Sequence, residues 1–303
     1  MNTLMTTLFL GTTRGAVFAL VALGLVLVWR GAGIVNFAQM GQAMFSTYVA
    51  STLIIKGYGY WFAFLIALAV GAILGAIVDL AVMRPLTRRS HAGVLASDSM
   101  RATVPVIASL GILGVLQSLA GMIWAAEERG FPTPVSDVAV KAFGKTAPFT
   151  KFDLFIIVVV AFTLVVTTLF FKKTGMGLAM RATALNPEVA RLSGIRISRV
   201  RTLSWAISGV ASSLAGLLIT PSANLSPNTL DLILIVGFTA AVVGGLDSLP
   251  GSVVGGFILG LLIAVINVYV SPDDVFLALL VFLLLVLILK PGGLFASKKV
   301  RNV

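Results

Sequence analysis

The chain has 303 residues, of which 58% are hydrophobic and 11% charged, and it carries a net charge of +11 with a mean hydropathy of +1.06. Because soluble domains contain about 25% charged residues, this composition excludes an ordinary water-exposed surface. The lack of cysteine excludes disulfides and thiolate metal ligands, and one histidine, His91, is too few for an imidazole metal site.

Nine apolar segments approach the length of about 20 residues that a membrane-spanning helix needs. Lipid offers no hydrogen-bond partner to the backbone, so each segment is expected to be helical. The predicted fold class is an all-α integral membrane protein, a polytopic bundle of 8–9 segments in one transmembrane domain over residues 1–303. The count falls to eight if the second, most polar segment is re-entrant. The segments are residues 8–29, 33–55, 61–83, 103–124, 153–171, 202–220, 232–249, 252–270 and 275–290.

Positive charge predicts the orientation. With nine spans and residues 172–201 inside, sixteen of the 22 Lys and Arg residues face the cytoplasm, in agreement with the positive-inside rule. The N-terminus is then outside and the C-terminus cytoplasmic, with cytoplasmic loops at 84–102 and 172–201 and an extracytoplasmic loop at 125–152. Because the cations lie in short loops beside the membrane, they do not indicate a nucleic-acid partner.

The second segment carries a polar stripe. Asn36, Gln39, Gln42 and Ser46 recur at spacings of three, three and four residues, which predicts one helical face. An amide in hydrocarbon is costly unless it is hydrogen-bonded, so this face is expected to meet protein or a wet cavity. Two interpretations stay open, namely hydrogen bonds that hold the bundle together and the lining of a solute path.

The third segment contains Asp79, a lone acid near its inner end. An acid inside a membrane segment is a candidate functional residue. Its position close to Arg84 and to the interface favours instead a side chain that reaches toward the surface and pairs with a cation. The same segment carries Gly71 and Gly75, whose spacing predicts close packing on another helix.

The sixth segment carries three serines at intervals of four residues. A helical serine can donate to the carbonyl four residues back at little cost, so packing is the simpler interpretation of this hydroxyl stripe. The serines are Ser204, Ser208 and Ser212.

Residues 172–201 form the central polar stretch, with seven Lys or Arg residues and one acid, Glu188. Within it, Asn186 suits a helix N-cap, Pro187 suits the first helical position, and Gly194 suits the position just past a helix end. This punctuation predicts a helix of about two turns over residues 187–193. Such a short helix is not stable alone in water.

The apolar side of this short helix needs a partner. Val189 and Leu192 are three residues apart and share a face, and an exposed apolar face on a helix indicates docking in a groove. The alternative is an ordinary basic loop between two membrane spans.

The order Glu188-Val189-Ala190, three residues, then Gly194 resembles the E-A-A-x-x-x-G loop of ABC importer membrane subunits, with Val189 in place of the first alanine and without the Ile-x-Leu-Pro that follows in that family. Further stretches resemble the branched-chain amino acid permease family, most closely the H-type of its two paired membrane subunits. The resemblance extends over about residues 20–295. Its stretches are residues 30–39 (RGAGIVNFAQ), 181–182 (RA), 225–227 (LSP) and 244–251 (GGLDSLPG).

That resemblance implies a coupling helix that sits in a cleft of a cytoplasmic ATPase. It also favours a translocation path lined by Asn36, Gln39, Gln42 and Ser46. The coupling residues that it implies are Pro187, Glu188, Val189, Ala190, Arg191, Leu192 and Gly194.

The same resemblance implies several partners. They are two cytoplasmic ABC ATPase subunits that bind ATP and magnesium, a second related permease subunit, and an extracytoplasmic solute-binding protein that the 125–152 loop could contact. The chain itself would hold no cofactor. The expected function is import of branched-chain or other hydrophobic amino acids by alternating access across the inner or plasma membrane of a prokaryotic cell, with urea or short amides as the alternative cargo.

Catalytic signatures are missing from the sequence. It has no G-x-x-x-x-G-K-[ST] phosphate loop, no G-x-S-x-G and no H-E-x-x-H. The chain is therefore expected to be a transport subunit without its own ATPase site and without catalytic or metal-binding residues. The rival hypothesis is a stand-alone secondary transporter or channel, which needs ion-coupling residues or broken helices near the membrane midplane.

Overall fold

The computed structural model describes residues 3–91, 98–125, 127–136, 138–142 and 145–295. This part of the chain is mostly helical and contains one antiparallel hairpin, formed by β1 (Ala139–Ala142) and β2 (Lys145–Thr150). A π-helical turn, Val78–Met83, and a 3-10 turn, Pro272–Asp274, interrupt the α-helices. The α-helices are α1 (Thr3–Ala32), α2 (Gln39–Ile55), α3 (Tyr60–Ile77), α4 (Arg84–His91), α5 (Asp98–Trp124), α6 (Lys151–Lys173), α7 (Gly175–Leu185), α8 (Pro187–Leu192), α9 (Ile197–Ala223), α10 (Asp231–Gly244), α11 (Leu249–Tyr269) and α12 (Val275–Leu289).

Seven helical stretches within the described residues are long and apolar enough to cross a membrane, so the chain is a multi-pass membrane protein. They coincide with seven of the nine predicted segments. The other two contain the 17-residue α2 and the 14-residue α10, so the number of spans and the orientation of the termini stay predictions. The seven stretches are Thr3–Ala32, Tyr60–Thr87, Thr103–Trp124, Lys151–Lys173, Ile197–Ala223, Leu249–Tyr269 and Pro272–Leu289.

Helix α1 belongs to the protein core. Every residue from 16 to 28 is buried, whereas α5, α6 and α12 each carry large apolar side chains that are more than half exposed, such as Ile107, Phe162 and Leu277. A helix that is apolar on all sides suits a protein interior and lipid equally well. The sequence pattern therefore does not distinguish a helix buried in the protein from one that faces lipid.

Contacts divide the chain into two compact units, the first of which comprises Met1–Val26, Val135–Thr163 and Ile235–Val303. Its interior depends on close approach of α11 to two neighbours. A Cβ at Gly256 would meet the backbone of Ala19 in α1, and a Cβ at Gly255 would meet the carbonyl of Ala240 in α10. Small residues let helix backbones touch in this way.

The second unit comprises Leu27–Pro134 and Leu164–Leu234, and its centre is the contact between α3 and α9. A Cβ at Gly75 would collide with the carbonyl oxygen of Trp205, and one at Gly209 would collide with the carbonyl oxygen of Gly71. The predicted close packing of the two α3 glycines is thus confirmed, and the structure identifies α9 as the helix that they contact.

Backbone pairing holds the described residues that follow α5, in segment 125–152, against α9 and the loop after it. Arg129 and Leu225 exchange two backbone hydrogen bonds of 3.0 and 2.7 Å, and Phe131 is buried beside Tyr60 at the start of α3. These contacts attach the first part of the segment to the second unit, while β1 and β2 form the hairpin further along the chain.

Candidate functional site

The central stretch begins with a tight turn between α6 and α7. The side-chain oxygen of Thr174 caps α7 by accepting a hydrogen bond from the Gly177 backbone N–H at 3.0 Å. A Cβ at Gly177 would lie 2.6 Å from the Cα of Phe171, so only glycine fits where the two helices meet. Met180 and Thr183 are buried on α7 and hold it against the protein.

Helix α8 has the punctuation that the sequence predicts. Asn186 Oδ1 accepts hydrogen bonds from the backbone N–H groups of Glu188 and Val189 at 3.0 and 3.1 Å, and Pro187 occupies the first helical position. The helix ends one residue earlier than predicted, at Leu192, because Ser193 has already left helical geometry. Gly194 then adopts φ +82°, a left-handed conformation that favours glycine.

Short helix α8 is held from one side and open on the other. Ala190 is buried, and its carbonyl accepts a hydrogen bond from Ile195 N at 3.0 Å, which closes the turn toward α9. Val189 is 56% exposed and Leu192 is 88% exposed, so the predicted apolar face is present and uncovered in this chain.

Leu185 is an exposed residue that the sequence argument missed. It precedes the N-cap, a position where an apolar side chain commonly packs on the fourth helical residue. Here it is 88% exposed, so it joins Val189 and Leu192 in an exposed apolar set. Glu188 and Arg191 are also exposed and border this set with charge.

The four predicted path residues are all fully buried in the second unit. Gln39, Gln42 and Ser46 lie on α2, whereas Asn36 lies in the turn before it, because α1 ends at Ala32 and Gly33 adopts φ +67°. The prediction of a single helical face therefore holds for three of the four residues, with Asn36 placed just before the helix.

This polar stripe faces the serines of α9. Ser46 Oγ donates to Ser213 Oγ at 2.7 Å, and the Ser208 hydroxyl lies 3.5 Å from Gln39 Oε1. In the part of the chain that the structure describes, the side-chain amide atoms of Asn36 and Gln42 have no hydrogen-bond partner. The bonds between α2 and α9 therefore use Gln39 and Ser46 but not the side-chain amides of Asn36 and Gln42.

The α9 serines mostly bond within their own helix. Ser204 Oγ donates to the carbonyl of Val200 at 3.0 Å, and Ser212 Oγ donates to the carbonyl of Ser208 at 2.6 Å. These bonds are donations to the carbonyl four residues back, the form that the sequence predicts for such serines. The same surface forms the wall opposite the α2 amides.

Asp79 lies in the π-turn and is fully buried, so the prediction of a side chain that reaches the surface is wrong. Its closest cation is Arg201 in α9, whose Nε lies 2.7 Å from Oδ1. Thr202 Oγ1 donates to Oδ2 at 2.6 Å, and Arg84 Nη2 lies 3.7 Å from the same oxygen. The expected partner Arg84 is present, but the closer partner comes from a distant part of the sequence.

A pocket of about 400 Å³ lies between α5 and the loop before α10. On its wall Gln117 Nε2 donates to both carboxylate oxygens of Asp231 at 2.8 and 3.0 Å. The remaining lining residues are small or polar, namely Gly114, Ser118, Gly121, Ser226, Pro227 and Asn228.

Taken together, the apolar helices, the buried polar stripe and the exposed short helix are the features of a membrane transport protein. The sequence matches the family described as branched-chain amino acid transport system / permease component over residues 7–289. The chain belongs to this family. It is a permease component, and the family supplies the membrane component of ABC transporters.

Individual relatives agree with this assignment. The chain is 32% identical over 254 residues to a probable branched-chain amino acid transport permease protein LivH of Methanocaldococcus jannaschii, a match that covers 83% of this chain and 78% of that protein. It is 27% identical over 308 residues to the high-affinity branched-chain amino acid transport system permease protein LivH of Escherichia coli, with 98% and 96% covered. A solved structure, PsaBC from Streptococcus pneumoniae in complex with Fab, matches with a TM-score of 0.49 and 17% identity over 94% of this chain and 90% of that chain.

Proposed function

We propose that this chain is the membrane-spanning permease subunit of an ABC importer for branched-chain or other hydrophobic amino acids, and that it works by alternating access. The observation that carries the proposal is α8, a capped two-turn helix with its apolar residues Val189 and Leu192 exposed. A helix this short is held in place by its caps and by its packing. Its uncovered apolar face is suited to docking in a groove of a partner protein.

The partners follow from this role. Two cytoplasmic ATPase subunits bind ATP and Mg²⁺ and receive the residues of the coupling helix, Pro187 to Leu192, together with Gly194. A second, related permease subunit completes a heterodimeric pore, and an extracytoplasmic binding protein delivers the solute. The membrane is the inner or plasma membrane of a prokaryote, with the N-terminus outside and the C-terminus in the cytoplasm, as the positive-inside distribution supports.

The polar stripe of Asn36, Gln39, Gln42 and Ser46 lines the translocation path in this proposal. Its two unpartnered amides support the assignment, because they offer donors and acceptors that the fold itself does not use. Asp79 is already paired with Arg201, so it is not free to hold the ammonium group of an amino acid. A path of neutral groups binds its cargo weakly, and the binding protein then supplies the selectivity.

Copurification from native membranes in mild detergent tests the proposal. A nucleotide-binding ATPase should accompany the wild-type chain and should be lost from the Glu188→Lys and Gly194→Trp variants. A Cβ at Gly194 would meet nothing within 4 Å, so Gly194→Trp acts through the backbone conformation of the loop. Gly194→Asn is the matched control, because asparagine tolerates this conformation.

The outcome decides between the two classes of transporter. If the wild-type chain binds no ATPase and moves solute alone in liposomes, the chain is a stand-alone transporter and the proposal is wrong. Uptake of leucine against uptake of urea by the complete importer then tests the cargo, and preference for urea would overturn the amino acid assignment.

The path assignment makes a separate prediction. In Gln42→Leu we expect uptake to fall about tenfold while the free energy of unfolding stays equal or rises, because the lost amide has no partner and its burial costs about 1–3 kcal/mol. Solute uptake and thermal unfolding in detergent measure the two quantities. Ser46→Ala is the comparison, because its hydroxyl is bonded to Ser213 and its loss should reduce stability. A Gln42→Leu variant with lower stability and normal uptake would make the amide structural.

A further inference from the structure

The charged cluster around Asp79 has an unusual local backbone. Asp79 lies in the π-turn Val78–Met83, and its carbonyl accepts the backbone N–H of Arg84 five residues on. Pro85 follows at once, and a proline inside a helix has no N–H to donate and crowds the preceding turn. The wider π-turn accommodates this defect, and such turns occur frequently at functional sites.

Three side chains of the π-turn and α4 connect to the first turns of α9. Asp79 forms an ion pair with Arg201 and accepts a hydrogen bond from Thr202. Arg84 Nη2 donates to the carbonyl of Ser198 at 3.0 Å and to Thr202 Oγ1 at 2.7 Å, and Arg201 Nη1 donates to Thr87 Oγ1 at 2.8 Å. We call this set, Asp79, Arg84, Thr87, Arg201 and Thr202, the ionic node.

The ionic node lies next to the coupling helix along the chain. Helix α8 ends at Leu192, Ile195 N donates to the carbonyl of Ala190, and α9 begins at Ile197. Helix α9 then continues unbroken to Ala223, about 40 Å at 1.5 Å per residue, and carries the serines that face the polar stripe. If α8 moves, it therefore moves the first turns of α9, which are the turns that the ionic node contacts.

The node joins the π-turn and α4 to α9, and a second joint lies nearby, between α3 and α9. The second joint is the contact of Gly71 and Gly75 with the α9 backbone, which leaves no space between the helices. A buried ion pair contributes little net stability, since desolvation offsets the attraction, although removing one partner alone is strongly destabilising. The main effect of this pair is therefore on the relative position of the π-turn and α9.

From this geometry, and resting on the proposed function, we propose that Asp79 is a positioning residue for energy coupling. It clamps the start of α9 to the π-turn, so that α3 and α9 move as one body when the coupling helix moves. Without the clamp, movement of α8 bends the start of α9 and does not reach the path.

The test uses the complete importer with its ATPase and binding protein, reconstituted in liposomes. The measured quantity is solute moved per ATP hydrolysed. For Asp79→Asn and for Arg201→Gln we expect at least a tenfold fall in this ratio, with the ATPase still bound and active. Asp79→Glu, which keeps the charge, should recover at least half of the wild-type ratio.

The double variant D79N/R201Q covers the case in which a single variant fails to fold, because it leaves neither member of the closest pair uncompensated. Its ratio of solute moved per ATP should fall as far as that of either single variant and no further, as expected for two residues that act as one unit. The control is Asp231→Asn, the same change at an acid that is bonded to Gln117. Its ratio of solute moved per ATP hydrolysed should stay within twofold of the wild-type ratio.

Two results would overturn the inference. One is a folded D79N/R201Q importer with a wild-type ratio, and the other is a parallel fall in transport and hydrolysis that leaves the ratio unchanged. If the wild-type chain binds no ATPase, the proposed function itself is wrong. This failure is therefore distinguishable from a failure of the inference about Asp79.

Discussion

Leu192→Asp should abolish ATPase binding and reduce uptake at least 100-fold while leaving the fold intact. The side chain is 88% exposed, so the substitution removes almost no contact within the chain. In the proposed complex the same side chain enters an apolar groove, where an uncompensated carboxylate is strongly unfavourable. A loss of 100-fold corresponds to about 2.7 kcal/mol, within the range of an interface hot spot.

The measurements are ATPase copurification, solute uptake and thermal unfolding of the chain in detergent. Leu192→Met is the matched control, because it keeps an apolar side chain of similar volume and should bind normally. Unchanged ATPase binding by a folded Leu192→Asp variant would show that this face of α8 does not dock. Leu185→Asp and Val189→Asp then measure how the interface is distributed over the exposed apolar set.

Gly75→Val should destabilise the chain by at least about 1–3 kcal/mol, the usual cost of overpacking. The added Cβ would meet the carbonyl of Trp205, with the Trp205 carbonyl carbon 2.8 Å away and the Ala206 Cα 3.3 Å away. These are backbone atoms that cannot rotate aside, so α3 and α9 must separate. Both joints to α9 should weaken, because the π-turn that carries Asp79 directly continues α3.

Thermal unfolding in detergent and the yield of monodisperse protein measure the effect of Gly75→Val. Gly111→Ala in α5 is the control, because a Cβ there would meet nothing within 4 Å. Alanine is the better helix former by about 1 kcal/mol, so this control should keep or gain stability. Equal stability of wild type and Gly75→Val would mean that α3 and α9 do not touch at the backbone.

These results connect the three polar features of the second unit. Helix α8 has an exposed apolar face, the ionic node lies at the start of α9, and the stripe of α2 faces the middle of α9. Helix α9 follows α8 after a short turn and contacts both the node and the stripe. The predictions for Leu192, Asp79 and Gln42 therefore test three proposed steps around α9, namely docking, transmission and passage of solute.

The local features of this protein could be predicted from its sequence. Asn186, Pro187 and Gly194 delimit α8 because capping depends on residues within one turn of each other. The long apolar segments correspond to helices for a similar reason, since a backbone in lipid must satisfy its hydrogen bonds within the segment. The family resemblance likewise rests on short stretches, such as residues 30–39 and 244–251, and agrees with the family that residues 7–289 match.

Only the tertiary structure decided which of these features touch. Asp79 pairs with Arg201 and not chiefly with its neighbour Arg84, because the folded chain brings α9 against the π-turn. Helix α1 is buried although its residues suit lipid equally well, and Asn36 precedes α2 because the chain turns at Gly33. The type of a side chain predicts whether its surroundings are apolar or hydrogen-bonding. It does not predict which residue provides them, because that residue comes from a distant part of the chain.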